Sequence, residues 1–232
     1  MEHNFWNRVW LITGATSGLG RALAFEALKN GGKVAAIARR EPKVKEFAEW
    51  RDRYHFIRGD ISRKDEVHRL VGEAFSVLGR IDVLVNNASS LGPTPLRPLL
   101  DLECEEFSGV FETNLLGPFR LTKLILPSMI LRESGIVVNI SSDAAVDSYP
   151  NWGVYSSSKA ALDHLTRVWQ SEVPEVEFYA FDPGEMNTPM HAAAVPDADV
   201  SKLRDPQAIA EKILKEIGPG RVTESMAVRR AL

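Results

Sequence analysis

The stretch "VYSSSKAAL", Val154 to Leu162, sets a tyrosine and a lysine four residues apart in a run with helical periodicity. Positions i and i+4 share one face of a helix, so Tyr155 and Lys159 are expected to be neighbours one turn apart. A free phenol titrates near 10 and is a poor acid or base at neutral pH. A nearby ammonium favours the phenolate, so Lys159 is expected to lower that pKa. Tyr155 could then hand a proton to a carbonyl oxygen. In "NISS", Asn139 to Ser142, the last serine precedes Tyr155 by 13 residues, enough for a loop that returns its hydroxyl to the phenol. Such a hydroxyl would orient that oxygen and stabilise it as negative charge develops. Asn114 lies inside a long helical pattern, an awkward place for asparagine by propensity. A proton connection through its side chain or a water would explain it, and so would a simple helix kink.

These residues need a scaffold that gathers positions 114, 142 and 155–159. β-rich runs alternate with helical patterns: Val9 to Ile12, Lys33 to Ala38, Tyr54 to Ile57, Ile81 to Asn86, Gly135 to Ile140 and Val176 to Phe181 read as strands. Between them, Gly18 to Lys29, Lys43 to Trp50, Lys64 to Leu78 and Glu105 to Leu131 read as helices, the last with Pro118 and Pro127 as places for a bend or break. The strands are continuous rather than alternating, as expected when helices cover both faces. The expected fold class is therefore α/β: a doubly wound, mostly parallel sheet in three layers, as one domain over 1–232. Its ligand crevice belongs at the carboxyl ends of the strands, where the strand order reverses.

The loop after the first strand says which ligand. "TGATSGLG", Thr13 to Gly20, runs from strand to helix and carries glycines at 14, 18 and 20. Gly14, Ser17, Gly18, Leu19 and Gly20 are expected to let the backbone lie against a pyrophosphate at a helix N-terminus, the signature of a dinucleotide. An enzyme preferring NAD often ends its second strand in an acid that binds the ribose hydroxyls. Here Ala38 is followed by Arg39 and Arg40. A guanidinium fork suits a phosphate dianion better than a diol. Arg39 is thus the expected 2′-phosphate ligand, with Arg40 and Ser17 as helpers, and NADP(H) is the expected cofactor. Asp60, next to Ile61, either hydrogen-bonds the adenine edge or caps "ISRKDE". Asn87 and Ala88 of "NNAS" stand beside the nicotinamide path, where Lys159 could also hold the ribose.

Together, "TGATSGLG", "NNAS", Asn114, "NISS", "YSSSK" and "DPGEMNT" resemble the classical branch of the short-chain dehydrogenase/reductase family, over residues 13 to 188. The resemblance implies a Rossmann fold and a carbonyl reductase type of enzyme. It implies that Tyr155 is the acid/base, that Lys159 binds ribose and tunes the phenol, that Ser142 positions the substrate oxygen and that Asn114 holds a water in a proton relay. It also places Pro183, Gly184, Met186 and Thr188 near the nicotinamide or the diphosphate, and a lid over substrate at 189–204. Two departures stand out. Ser89 replaces the usual glycine of Asn-Asn-Ala-Gly, and "GPGRVTESMAVRRAL" matches the family's seventh strand and glycine-rich tail poorly. A homodimer or homotetramer through the fourth and fifth helices is a further implication.

Substrate contacts are expected from Ser89, Asp143, Tyr149, Trp152, Glu185 and Met190, with Leu91, Leu96, Val146, Met186 and His191 beside them. This mix suits a small or medium carbonyl compound, such as a dicarbonyl or pterin-like ketone, since "NNASSLG" and "DPGEMNTPM" faintly resemble the sepiapterin-reductase-like members. A net charge of −3 without a basic cluster argues against nucleic acid. A lone Cys104 excludes a disulfide framework. No apolar run approaches the roughly 20 residues of a membrane span and no secretory pattern opens the chain, so a cytoplasmic protein is expected. No metal-ligand cluster appears. The rival readings are an NAD-dependent alcohol dehydrogenase of the same family and a non-catalytic nucleotide sensor or scaffold.

Overall fold

The structure, a computed structural model, describes residues 7–42 and 46–217 and the strand 229–231. Its strands are β1 (Val9–Thr13), β2 (Lys33–Ala38), β3 (Tyr54–Arg58), β4 (Val83–Asn86), β5 (Ile136–Ile140), β6 (Glu177–Asp182) and β7 (Arg229–Ala231). They form one parallel sheet in the order β3-β2-β1-β4-β5-β6-β7. The chain winds outward from β1 through β2 to β3, then returns to lay β4 on the other side of β1. That reversal puts the crevice at the carboxyl ends of β1 and β4.

Alternate side chains along each strand enter two cores. Trp10, Ile12, Val34, Ala36 and Val85 pack with helices α1 (Gly18–Lys29) and α7 (Pro206–Glu216). Leu11, Ala35, Ile37, Leu84 and Val137 pack on the opposite face with α2 (Lys64–Leu78) and, beyond the short α3 (Cys104–Phe111), with α4 (Gly117–Leu131). Trp169 of α5 (Gly153–Glu172) and Val173 just beyond it close that face. Residues such as Leu11, Ile12, Leu84 and Val85 are fully buried, which explains strands that read as unbroken apolar runs.

All six expected strands form. β4 starts at Val83 rather than Ile81 because Asp82 turns its carboxylate onto the Val9 amide at 3.0 Å. A seventh strand, which the sequence left open, adds three residues to β6 in parallel register. The helix expected over 43–50 falls partly on 43–45, outside the described residues, and its described part is one 3-10 turn at Ala48–Trp50.

The helix expected over 105–131 is not continuous. α3 passes into a π-helical turn at Glu112–Leu116, then into α4. Pro118 has no N–H to return to the Asn114 carbonyl in α-helical register. The turn widens instead, and Gly117 N donates to Glu112 O. Pro127 is carried inside α4 without ending it. No helix among the described residues is long and apolar enough to cross a membrane, and they hold no cluster of metal-ligating side chains.

The stretch expected as a lid folds into α6 (Pro189–Ala194) and a 3-10 turn at Val200–Lys202. Its far end is tied to its near end. Arg204 N donates to Glu185 O at 3.0 Å and Asn187 N donates to Arg204 O at 3.0 Å, a one-residue parallel bridge beside the sheet.

Candidate active site

The turn after β1 is shaped by Gly14 and Gly18, with φ of +66° and +50°, a region that disfavours side chains. Gly20 packs so closely on Gly14 and the Asn87 side chain that a Cβ would collide with both. Asn87 donates to Thr13 O at 2.9 Å, and the Thr13 hydroxyl accepts from the amides of Asn87 and Ala88, each at 3.0 Å. This clamp binds the end of β4 to the glycine loop. Ser17 precedes α1 in extended conformation without capping it, and the first turn holds no acid. The helix therefore presents backbone N–H groups and the positive end of its dipole to an incoming anion. Across the gap, a Cβ on Gly18 would meet the Thr188 methyl at 3.2 Å, so the loop after β6 faces the cradle.

At the edge of this cradle, Arg39 is 77% exposed and its Nη1 stands 4.0 Å from Asp60 Oδ2. Asp60 Oδ1 accepts from the Ser62 amide at 2.9 Å and its hydroxyl at 2.7 Å, an Asx turn ahead of α2, whose N-cap residue is Arg63. Arg40, Leu19 and Ile61 line the same space. The residues present fit a dinucleotide: an uncapped helix end and a floor kept free of side chains, with two arginines at the rim.

The other half of the cleft is built from buried side chains. Tyr155 and Lys159 are 7% and 2% exposed on the inner face of α5. Lys159 Nζ donates to Ile140 O at 2.7 Å and lies 5.6 Å from the Tyr155 ring centre. Trp152 meets the Tyr155 ring edge-on at 5.7 Å. Ser142 accepts from Ala144 N at 3.2 Å and donates to Asp143 Oδ1 at 2.8 Å, while the Tyr149 hydroxyl donates to Asp143 Oδ2 at 2.9 Å. Ser142 and Ser89 line the same cavity as Tyr155.

Burial pushes the Tyr155 pKa up to about 12, against the pull of Ser142, and Asp143 and Asp182 add to the rise. Burial also pulls Lys159 down to about 8, with Asp163, one turn further along α5, working the other way. The lowering of the phenol's pKa expected from Lys159 does not appear: burial raises it, and Lys159 is not among the groups that move it. Desolvation dominates because both groups are sealed beneath Trp152 and the strand ends, and the ammonium is directed at a backbone carbonyl.

Asn114, 1% exposed in the π-helical turn, lies behind the cleft rather than in its wall. Its Oδ1 accepts from Ser90 N at 2.7 Å and from Ser89 Oγ at 3.1 Å. Its Nδ2 donates to Ser90 O and to Ser158 Oγ, each at 2.9 Å. Both donors and both acceptor positions of the amide are thereby used.

One cavity of about 930 Å³ joins the two halves. Gly14, Ser17, Gly18, Arg39 and Asp60 face it from one end; Ser142, Tyr155 and Lys159 face it from the other, with Pro183, Gly184 and Met186 between. The expected substrate contacts Ser89, Asp143, Tyr149, Trp152, Glu185 and Met190 all line it. Leu91 and His191 do too. Leu96 packs behind Leu91 in a small apolar cluster, and Val146 is 66% exposed outside the lining. Gly20 is likewise behind the wall. Sequence reasoning missed three contributors. Asp182 Oδ1 accepts from Gly184 N at 3.0 Å and so shapes the "DPGE" turn. Ser158 reaches Asn114 across 44 residues of sequence. Arg204 lies against Gly184 on the cleft wall. Only the Asp-Pro-Gly spacing of the first carried a signal.

A family model described as short chain dehydrogenase matches residues 8–199. The chain belongs to the short-chain dehydrogenase family. Among the curated relatives of this short-chain dehydrogenase, the 2-(R)-hydroxypropyl-CoM dehydrogenase of Xanthobacter autotrophicus is 32% identical over 219 residues, 91% of this chain and 86% of the relative. Among solved structures, an alcohol dehydrogenase from the archaeon Thermococcus sibiricus complexed with 5-hydroxy-NADP superposes with a TM-score of 0.81 at 29% identity, covering 97% of this chain and 95% of that one. A 3-ketoacyl-(acyl-carrier-protein) reductase from Brucella melitensis complexed with NADH gives 0.87 at 25% identity, covering 98% and 97%. The short-chain dehydrogenase described here thus has a dinucleotide-binding fold and the general hydride-transferring character of an oxidoreductase, with a tyrosine at its candidate site.

Proposed function

We propose that the chain transfers hydride between NADP(H) and a small or medium carbonyl or secondary alcohol, with Tyr155 as general acid and base. One observation carries this reading: the Tyr155 phenol, the Ser142 hydroxyl and Lys159 face the same cavity as the open end of α1 and Arg39. When bound, the nicotinamide dinucleotide supplies or takes up the hydride. The α1 N-terminus and Thr188 would hold its diphosphate, Arg39 and Arg40 its 2′-phosphate, and Lys159 its ribose. A phenol held at about 12 is protonated throughout the physiological range, as a proton donor to a carbonyl must be. Ser142 would hold the carbonyl oxygen beside it. Lys159, charged below about 8, opposes the negative charge left behind. Trp152, Leu91 and Met190 give an apolar wall, while Asp143, Tyr149 and Glu185 give polar contacts at the rim, in keeping with a carbonyl of modest size.

The test follows NADPH and NADH oxidation by the purified protein across ketones, aldehydes, dicarbonyls and pterins. Strong turnover with NADPH is expected. Equal affinity for the two dinucleotides would discard the 2′-phosphate role of Arg39. A second reading, NAD-dependent alcohol oxidation, is favoured by Asp60, an acid standing 4.0 Å from the Arg39 guanidinium. We also read residues 189–204 as a substrate lid on a single domain, and α4 and α5 as the faces of a homodimer or homotetramer. Sedimentation at several concentrations checks the assembly.

A further inference from the structure

A serine hydroxyl has one proton and two acceptor positions. Ser142 Oγ lies 2.8 Å from Asp143 Oδ1, and a carboxylate at neutral pH only accepts, so the Ser142 proton lies on Asp143. The carboxylate is held at both ends. The Ala144 amide donates to Oδ1 at 2.8 Å, and the Tyr149 hydroxyl donates to Oδ2 at 2.9 Å. Capping of the 3-10 turn at Asp143–Ala145 does not require the contact between the two side chains. Asp143 Oδ1 already accepts from the Ala144 amide, and Ser142 Oγ, at 3.2 Å, is a second and longer acceptor for the same N–H. The effect of the contact is to fix the rotation of a hydroxyl that lines the cleft together with Tyr155.

We propose that Asp143 is a positioning residue: by holding the Ser142 proton it makes Ser142 meet the substrate oxygen as an acceptor, so that the cleft favours an alcohol over the matching carbonyl. This rests on the reading that Ser142 holds the reacting oxygen. An alcohol has a proton to give and fits a hydroxyl turned this way. A carbonyl oxygen only accepts. To hold one, Ser142 must turn its proton away from a carboxylate, exchanging a charge-assisted hydrogen bond for a neutral one. That exchange corresponds to about a tenfold difference in affinity. Reduction stays open, from a weaker starting complex. As hydride arrives, the carbonyl oxygen gains negative charge, becomes a stronger acceptor and draws the Ser142 proton across. Tyr149 serves the same arrangement from the rim, because its grip on Oδ2 keeps Oδ1 turned to Ser142.

Two measurements test this, and the first needs no substrate. The chain's one cysteine, the exposed Cys104, is replaced by Ser, and Ser142→Cys puts a thiol where the hydroxyl stood. Alkylation by iodoacetamide is then followed against pH. A thiol that gives its proton to a carboxylate resists ionisation, so adding Asp143→Asn should lower the midpoint by about one pH unit. An unmoved midpoint overturns the proposal. The second measurement titrates the NADPH complex with tert-butanol, an alcohol with no hydride to give, and with dimethylacetamide, a carbonyl that takes none. Asp143→Asn should shift the ratio of their dissociation constants about tenfold towards the carbonyl, and in a Ser142→Ala background it should leave that ratio where it is. A merely structural role would weaken both ligands together. A ratio that stays put, or that shifts equally without Ser142, overturns the proposal. An unaltered enzyme that turns over neither carbonyls nor alcohols sinks the proposed function alone, while the thiol titration still decides whether Asp143 holds the proton at position 142.

Discussion

At the end of β1 the cleft wall is mostly backbone: glycines with positive φ, an uncapped helix end and an arginine at the rim that is 77% exposed. At the ends of β4 and β5 the wall is made of side chains with almost no access to water, where Lys159 is 2% exposed and Tyr155 7%. The first half recognises charge at the surface, where solvent screens each contact and affinity comes from many weak ones. The second half places a few groups in a low-dielectric setting, where each is perturbed strongly and a single substitution has a large effect. Binding and chemistry should therefore fail separately.

The sharpest break between the halves is Tyr155→Phe. Turnover should fall by about 1,000-fold, the scale of general acid catalysis, while dinucleotide affinity measured by fluorescence titration stays unchanged. A protein that kept its turnover would return the sensor reading to consideration. Gly14→Val should do the reverse. A Cβ there would lie 2.8 Å from Asn87 Nδ2 and 3.0 Å from the Ala88 backbone, in a conformation valine resists. Dinucleotide binding should be lost, with about 2–3 kcal/mol of stability lost in denaturant titration.

Lys159→Met separates activity from stability. Lowering a lysine from 10.5 to about 8 means that the folded state disfavours the ammonium by about 3 kcal/mol at neutral pH. Losing the hydrogen bond to Ile140 O returns about 1–2 kcal/mol of that. The variant should therefore be more stable by about 1–2 kcal/mol and nearly inactive. The sign shows in pH as well. Between about 8 and 10.5 the unfolded lysine holds a proton that the folded one has released, so this group makes stability rise with pH across that window. The rise should vanish in the variant. Below about 8 the full destabilisation is present. The smallest effect belongs to the exposed half: Arg39→Ser should lower the preference for NADPH over NADH by about tenfold, read as a ratio of kcat/KM values.

Readability from sequence follows the same division. The boundaries of α1, α2 and β2 coincide with the periodic stretches, because one buried face imposes one period. The glycine loop was visible because backbone geometry restricts which residues fit. The π-helical turn at Glu112–Leu116 was not, since one extra residue in a turn hardly changes a 3.6-residue repeat. Nor were the links from Asn114 to Ser89, Ser90 and Ser158, which join residues 24 to 44 apart and follow from packing alone. For Tyr155 and Lys159 the spacing correctly made them neighbours on α5. The balance of forces between them depended on Trp152 and the strand ends, and spacing says nothing of how dry a place is.

The bridge at Arg204 has a consequence for how this protein can change. Because Glu185 and Asn187 grip Arg204, the segment between leaves and rejoins the body at nearly one point. Its closure is fixed at the base, so its interior is free to vary in length, and doubling a loop costs only about 0.6 kcal/mol of chain entropy. Residues 189–203 can thus be exchanged as a cassette carrying Met190 and His191 with it. New walls for the cleft could be tried in evolution or in the laboratory while the sheet, the glycine loop and the buried catalytic half stay as they are.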